Sequence, residues 1–206
     1  MATSDVTICN LALSRLGQAP ITALDDGSDM AALLSTFLQQ AVDKIVAHHP
    51  WNSCLERAEL ALDNTFTNPD PDGPANGYTL PTDPYCLRVL TAYPQGIEWV
   101  VEGRRLLTPE AEVSILYLAR PTDYSKLSPG LVEAIAAYLA YLICYPVTEH
   151  QALSEQVYKI FKDVLAEARS MDSQEGSTVR FDIDSLVDVR RTGGNVDAFD
   201  RNWRVV

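Results

Sequence analysis

Histidine, paired cysteine and positive charge are what this sequence has least of. Only three histidines and four cysteines occur in 206 residues. Cys9, Cys54, Cys86 and Cys144 are scattered and form no CxxC pair. That spacing argues against a zinc site or a disulfide framework, and each cysteine lies in an apolar stretch where a free thiol behaves as a small hydrophobe. The chain reads as a reduced protein made in cytoplasm. Lys and Arg total 16 against 28 Asp and Glu, for a formal net charge of −12. Nucleic-acid affinity comes mostly from neutralising phosphates, so such a polyanion lacks the basic footprint for it and is equally ill suited to anionic membranes. Strong negative charge does suit a surface past which nucleic acid slides without sticking.

Long apolar runs and catalytic motifs are also missing. The most apolar stretch, Ala134–Tyr145 (AIAAYLAYLICY), is shorter than the roughly 20 residues that cross a bilayer and reads as a core helix. The start, MATSDVTICNLAL, has neither the basic flank nor the apolar centre of a secretory signal. There is no GxSxG elbow, no GxGxxG, no Walker loop and no cysteine with an identifiable base; Gly193-Gly194 falls in the tail rather than between a strand and a helix. No internal repeat is present. With no catalytic residues and no cofactor-binding motif to name, the weight moves toward a structural or assembly protein.

What is present is an ordinary folded composition, 47% hydrophobic and 21% charged. A first helix is expected over residues 4–16, with Val6, Cys9, Leu13 and Leu16 on one face and Gly17 ending it. Ser28 should cap a second, residues 29–49, whose stripe runs Met30, Leu34, Leu38, Ala41, Ile45 and His48 with Phe37 beside it. Pro50 stops that helix by forcing its predecessor out of the α region. From 52 to 120 the pattern becomes β-rich. ERAELAL, LRVLTAY, IEWVVEG, RRLLT and EVSILYLAR are strand-like, Gly103 marks a hairpin, and TFTNPDPDGPANG is turn chemistry. Ser128-Pro129 opens a third helix, 129–145, which Pro146 should close, and Thr148 with Gln151 fits a capping box for a fourth, 149–171. The expected class is α+β and mainly helical: four packed helices, one small antiparallel sheet inserted between them, and an extended C-terminal arm. Residues 1–171 would form the core and 172–206 the arm. The arm ends on Phe199, Trp203, Val205 and Val206, an unusual finish for an ordinary tail, and Trp203 could bury about 200 Å² in a partner's pocket.

Three places tempt a chemical reading. In AHHPWN, residues 47–52, His48 and His49 are adjacent. Neighbouring helical side chains diverge by about 100°, so the two cannot face one ion without help from the helix end. His48 is expected to continue the apolar stripe, packed in the core or at a subunit contact, His49 to cap carbonyls at the helix end, and Trp51 to anchor the turn. His48, Pro50 and Trp51 then make a structural corner. Replacing both histidines with Gln should lower stability or assembly rather than remove a metal. Asn68, Asp70, Asp72 and Gly73 imitate a calcium loop, but position twelve is Thr79 where a bidentate Glu is needed. Asp25, Asp26 and Asp29 read as a turn and a helix N-terminus. No metal site is therefore expected.

The ordered set ICNLALSRLGQAPITALDDGSDMA, a helix ending in HHPWN, and LPTDPYCLRV resembles the tail tubular protein A family of tailed phages, the head-to-tail adaptors. The resemblance covers about residues 4–170. It implies a virion protein of the neck, without enzymatic activity, that forms a homo-oligomeric ring, commonly of about twelve copies related by rotation. The ring would bind the portal protein above and the next tail component below, and DNA would pass through its channel without specific binding. The arm, with Arg190, Arg191, Phe199 and Trp203, would then engage the portal or an adjacent protomer. The alternative, from another class, is a small helical metal-binding protein or enzyme using His48, His49 and the acidic loops.

Overall fold

The structure, a computed structural model, describes residues 3–70 and 73–175. Four helices carry the chain: α1 (Asp5–Arg15), α2 (Asp29–His48), α3 (Pro129–Thr148) and α4 (Gln151–Asp172). Six strands lie between α2 and α3: β1 (Leu55–Glu59), β2 (Asn76–Thr79), β3 (Cys86–Tyr93), β4 (Val100–Glu102), β5 (Arg105–Thr108) and β6 (Ser114–Ala119). The fold is α+β, as expected, but the strands form two antiparallel sheets rather than one, ordered β1-β6-β3 and β2-β5-β4. β2 lies at the end of the stretch read as turn. Its Gly77 packs under Phe66, whose ring would lie 2.7 Å from an added Cβ.

Helix starts follow the expected capping chemistry. The hydroxyls of Ser4, Ser28 and Ser128 accept from the backbone N–H of Thr7, Ala31 and Leu131, satisfying donors that the first turn leaves open. Gly17, at φ +67, closes α1 with the paired bonds Gly17 N–H to Ser14 O and Gln18 N–H to Leu13 O. That is the glycine-dependent left-handed cap.

Two expectations about the third and fourth helices fail. Pro146 lies inside α3, which continues to Thr148 and ends at Glu149, left-handed with φ 54. A proline near a helix end removes one backbone bond only, and the Thr148 hydroxyl supplies a local one by donating to Cys144 O at 2.7 Å. Thr148 is not the N-cap of α4, which is His150 without a side-chain hydrogen bond, although the Thr148 hydroxyl accepts from the His150 N–H at 3.3 Å. α4 also runs past 171 to the buried Asp172.

α3 sits centrally, packed against α1, α2 and α4. At 20 residues with mean hydropathy 1.6 it is long and apolar enough to cross a membrane by composition, unlike the shorter run read from sequence. Here ten of its residues, from Leu131 to Cys144, are buried in the core, as a helix apolar on most sides requires.

The first sheet lies between two hydrophobic clusters. Leu118, Leu55, Leu87 and Leu90 face the helical core, whereas Ile115, Tyr117, Ala119, Cys86, Val89 and Ala92 face the second sheet with Tyr78, Leu80 and Leu106. β3 does not alternate simply: its register against β6 shifts between Cys86 and Arg88 and again between Val89 and Thr91. Each shift is a bulge that re-aims the following residues. Inward positions therefore recur every third residue, Cys86–Val89–Ala92 on one face and Leu87–Leu90 on the other.

Candidate functional site

The corner after α2 is where the helices meet the β unit. His49 is extended, with φ −139 and ψ 147, as the residue before a proline must be. Trp51 is fully buried, and its indole N–H donates to Ile45 O at 2.9 Å. The Arg88 guanidinium, from β3, donates to Ala47 O at 3.2 Å. Two open carbonyls of the last turn of α2, those of Ile45 and Ala47, are thus capped by Trp51 and Arg88, and His49 caps neither. His49 Nε2 instead lies 3.3 Å from Asp172 Oδ2 at the end of α4, and its ring meets Trp51 edge-on at 4.8 Å.

Asp172 completes this clasp. Its carboxylate accepts from Asn52 N–H at 3.1 Å and 3.3 Å, and its carbonyl accepts from the Asn52 amide at 2.8 Å. Burial lowers the His49 pKa below its ordinary value, and Asp172 pulls the other way with smaller effect. The ring is therefore held mainly neutral, as a hydrogen-bond partner more than as a cation.

A second joint ties α2 to the end of β6. Arg120, just past β6, makes a bidentate pair with Asp43 of α2 at 2.8 Å and 2.5 Å. Its guanidinium also stacks 4.5 Å over the Tyr85 ring, and Arg104 covers the same ring at 4.0 Å. Arg104 donates on to Cys86 O and Pro81 O, both at 2.6 Å. The segment Pro81–Cys86 is pinned between two arginines.

His48 departs from the expected core packing. It is exposed, not part of the core, because the buried stripe of α2 runs Ala31, Leu34, Leu38, Ala41, Val42, Ile45 and Val46. His48 instead lines an open groove of about 540 Å³ with Lys44 and Ile45 of α2, Tyr138 and Tyr141 of α3, and Tyr158, Phe161, Lys162, Leu165, Ala166 and Arg169 of α4. The rings form one continuous set: Tyr138–Phe161 at 5.0 Å, Tyr141–Tyr158 at 4.9 Å and Tyr138–Tyr141 at 6.0 Å. The two histidines thus serve different surroundings.

Asp26 and Asn68 are engaged in local turns. Asp26 accepts from Ser28 N–H at 2.9 Å, and its hydrogen bonds with Ser28 hold its carboxyl below the usual range. Asn68 donates to Pro74 O and accepts from Asp70 N–H, so its side chain is occupied within its own turn. Thr79 pairs with Arg105 in the second sheet. Asp72 lies outside the described residues. Among the described residues no cluster of three His, Cys, Asp or Glu side chains could hold a metal ion. All four cysteines are free and buried; burial pushes the Cys9 thiol up to about 12 and Cys54 up to about 11, which disfavours the nucleophilic thiolate.

Arg190, Arg191, Phe199 and Trp203 lie outside the described residues. The sequence reading missed Asp172, Asn52, Tyr85 and the Asp43–Arg120 pair, each joined to partners far away in the chain. The groove left a local signal: Tyr138/Tyr141 and Tyr158/Phe161 are both aromatic pairs one helical turn apart. Comparison with protein-family models and with curated proteins gives no match for this chain.

Proposed function

We propose that the protein is a structural head-to-tail adaptor of a tailed phage, assembling as a ring beneath the portal and continuing the DNA channel into the tail. The observation that carries this reading is the HHPWN corner, one of the strings on which the resemblance rests. It is built as a joint. Trp51 fills the helical core, His49 and Asn52 clasp Asp172, and Arg88 returns from the sheet to the end of α2. A ring subunit that transmits load between capsid and tail needs its helical and β parts held rigidly together. The net charge of −12 further supports a channel from which DNA is repelled rather than bound. In this role the subunit contacts its neighbours head-to-tail, and the series closes by rotation. Its partners are its own copies, the portal and the next tail component, in the neck of the virion, and its role requires no catalysis. The C-terminal residues 172–206, with Arg190, Arg191, Phe199 and Trp203, are proposed to engage the portal or an adjacent protomer.

Mass measurement of the full chain alone and with a portal protein tests this. A ring on the portal, seen as a discrete high-mass complex, is the expected result. A monomer that ignores the portal would overturn it. Deleting 173–206, which spares Asp172, should leave the fold intact and abolish joining.

A further inference from the structure

The groove between α2, α3 and α4 differs in charge from the rest of the molecule. The chain carries 28 acidic residues, yet no aspartate or glutamate lines this groove, whereas Lys44, His48, Lys162 and Arg169 do. Five of the six described arginines outside the groove are used: Arg15, Arg105 and Arg120 pair with carboxylates, and Arg88 and Arg104 donate to carbonyls, which leaves Arg57. None of Lys44, His48, Lys162 and Arg169 takes part in an ion pair among the described residues, and Lys162 Nζ rests 4.8 Å over the Tyr158 ring. Lys44, His48, Lys162, Arg169 and Tyr158 are all exposed. Beneath them lies a half-buried aromatic floor formed by Tyr138 and Tyr141.

We propose that this groove is a docking site for one face of an acidic amphipathic helix of a partner protein. Apolar side chains would enter over the aromatic floor while carboxylates meet the cations at the rim, the helix-in-groove mode of recognition. The spacing supplies a register. Lys44 and His48 are four residues apart, about 6 Å along α2, and Lys162 and Arg169 are seven apart, about 10 Å along α4. Carboxylates one and two turns apart on the incoming helix match both. A single strand of nucleic acid would also meet rings and cations, but its affinity scales with the number of phosphates neutralised. Three rim cations, Lys44, Lys162 and Arg169, on a chain of net charge −12 favour the peptide. The inference stands on the groove alone and survives if the ring reading fails.

The test uses the full chain and a labelled peptide of about 15 residues, long enough to begin forming a helix. The peptide is built of Leu, Ala and Glu, with glutamates at four- and seven-residue spacing. Fluorescence anisotropy should show saturable binding, absent for the same peptide with Gln in place of Glu. The Lys162→Glu/Arg169→Glu variant, changed at two exposed positions and checked by thermal melting, should bind about tenfold more weakly or worse, since like charges across an interface are costly. Tyr158→Ala should weaken binding at unchanged charge. No binding by the unaltered protein, equal binding of the Gln peptide, or tighter binding of labelled oligothymidine would each overturn the proposal.

Discussion

His49 Nε2 lies 3.3 Å from Asp172 Oδ2, joining the residue after α2 to the last residue of α4 across 123 positions of sequence (172 − 49). The same carboxylate holds the Asn52 N–H. One buried acid thereby fixes both the exit from α2 and the end of α4.

The clasp should make stability depend on pH in one direction. The His49 pKa is lowered in the folded state from its ordinary 6.5, by burial first. The unfolded chain then binds the proton more readily, so the contribution is fully present above about pH 6.5 and is lost as pH falls through the lower folded value. Urea midpoints measured from pH 8 downward should decline below that point, and His49→Gln should flatten the decline. An unchanged profile in the variant would place the titration elsewhere.

Asp172→Ala removes the acceptor of a half-buried backbone N–H and should cost about 1–3 kcal/mol. Hydrogen exchange should also speed up in the last turn of α4. Asp172→Asn retains one acceptor oxygen and should cost less than the alanine variant. Equal losses in the two would mean that the hydrogen bond to Asn52 is not the main contribution.

Trp51→Ala should be far more damaging, about 3–5 kcal/mol, because it opens a cavity in the core and frees the Ile45 carbonyl. Trp51→Phe keeps most of the volume but loses the 2.9 Å hydrogen bond. Thermal melts should rank wild type above Phe, and Phe above Ala.

Arg120→Lys tests the second joint. Lysine keeps the charge but cannot pair bidentately with Asp43 while lying flat on Tyr85. Both partners are about one-third exposed, so a loss of about 1 kcal/mol is expected in denaturant titration. Asp43→Asn should produce a similar loss, and the two together less than their sum.

His48→Gln should leave stability within about 0.5 kcal/mol of wild type, as at other exposed positions. The expected cost of replacing both histidines therefore belongs to His49. A thermal melt of each single variant separates them.

The legible part of the fold was the local part. Ser28, Ser128, Gly17 and Pro50 act within a few residues of themselves, and their helix boundaries followed from capping and sterics alone. Pro146 misled because a proline's cost depends on how much helix remains beyond it, and only two residues do. His48 misled because the buried face of α2 continues through Ile45 and Val46 and leaves His48 at the solvent edge. β3 could not be read correctly by alternation, since two bulges turn its period from two to three. Asp172, Tyr85 and Arg120 had no local signature. Their roles depend on which distant backbone comes near, and that is a property of the tertiary packing.

β6 places Leu118 in the helical core and Ile115 and Tyr117 in the other. The stretch between α2 and α3 is thus no detachable cassette, although its strands interrupt an otherwise helical chain. Excising it would tear Leu118, Leu55 and Trp51 out of the bundle and strip Asp43 of its arginine. The helical interior is finished only by side chains that the inserted stretch supplies, so the bundle should not fold without it.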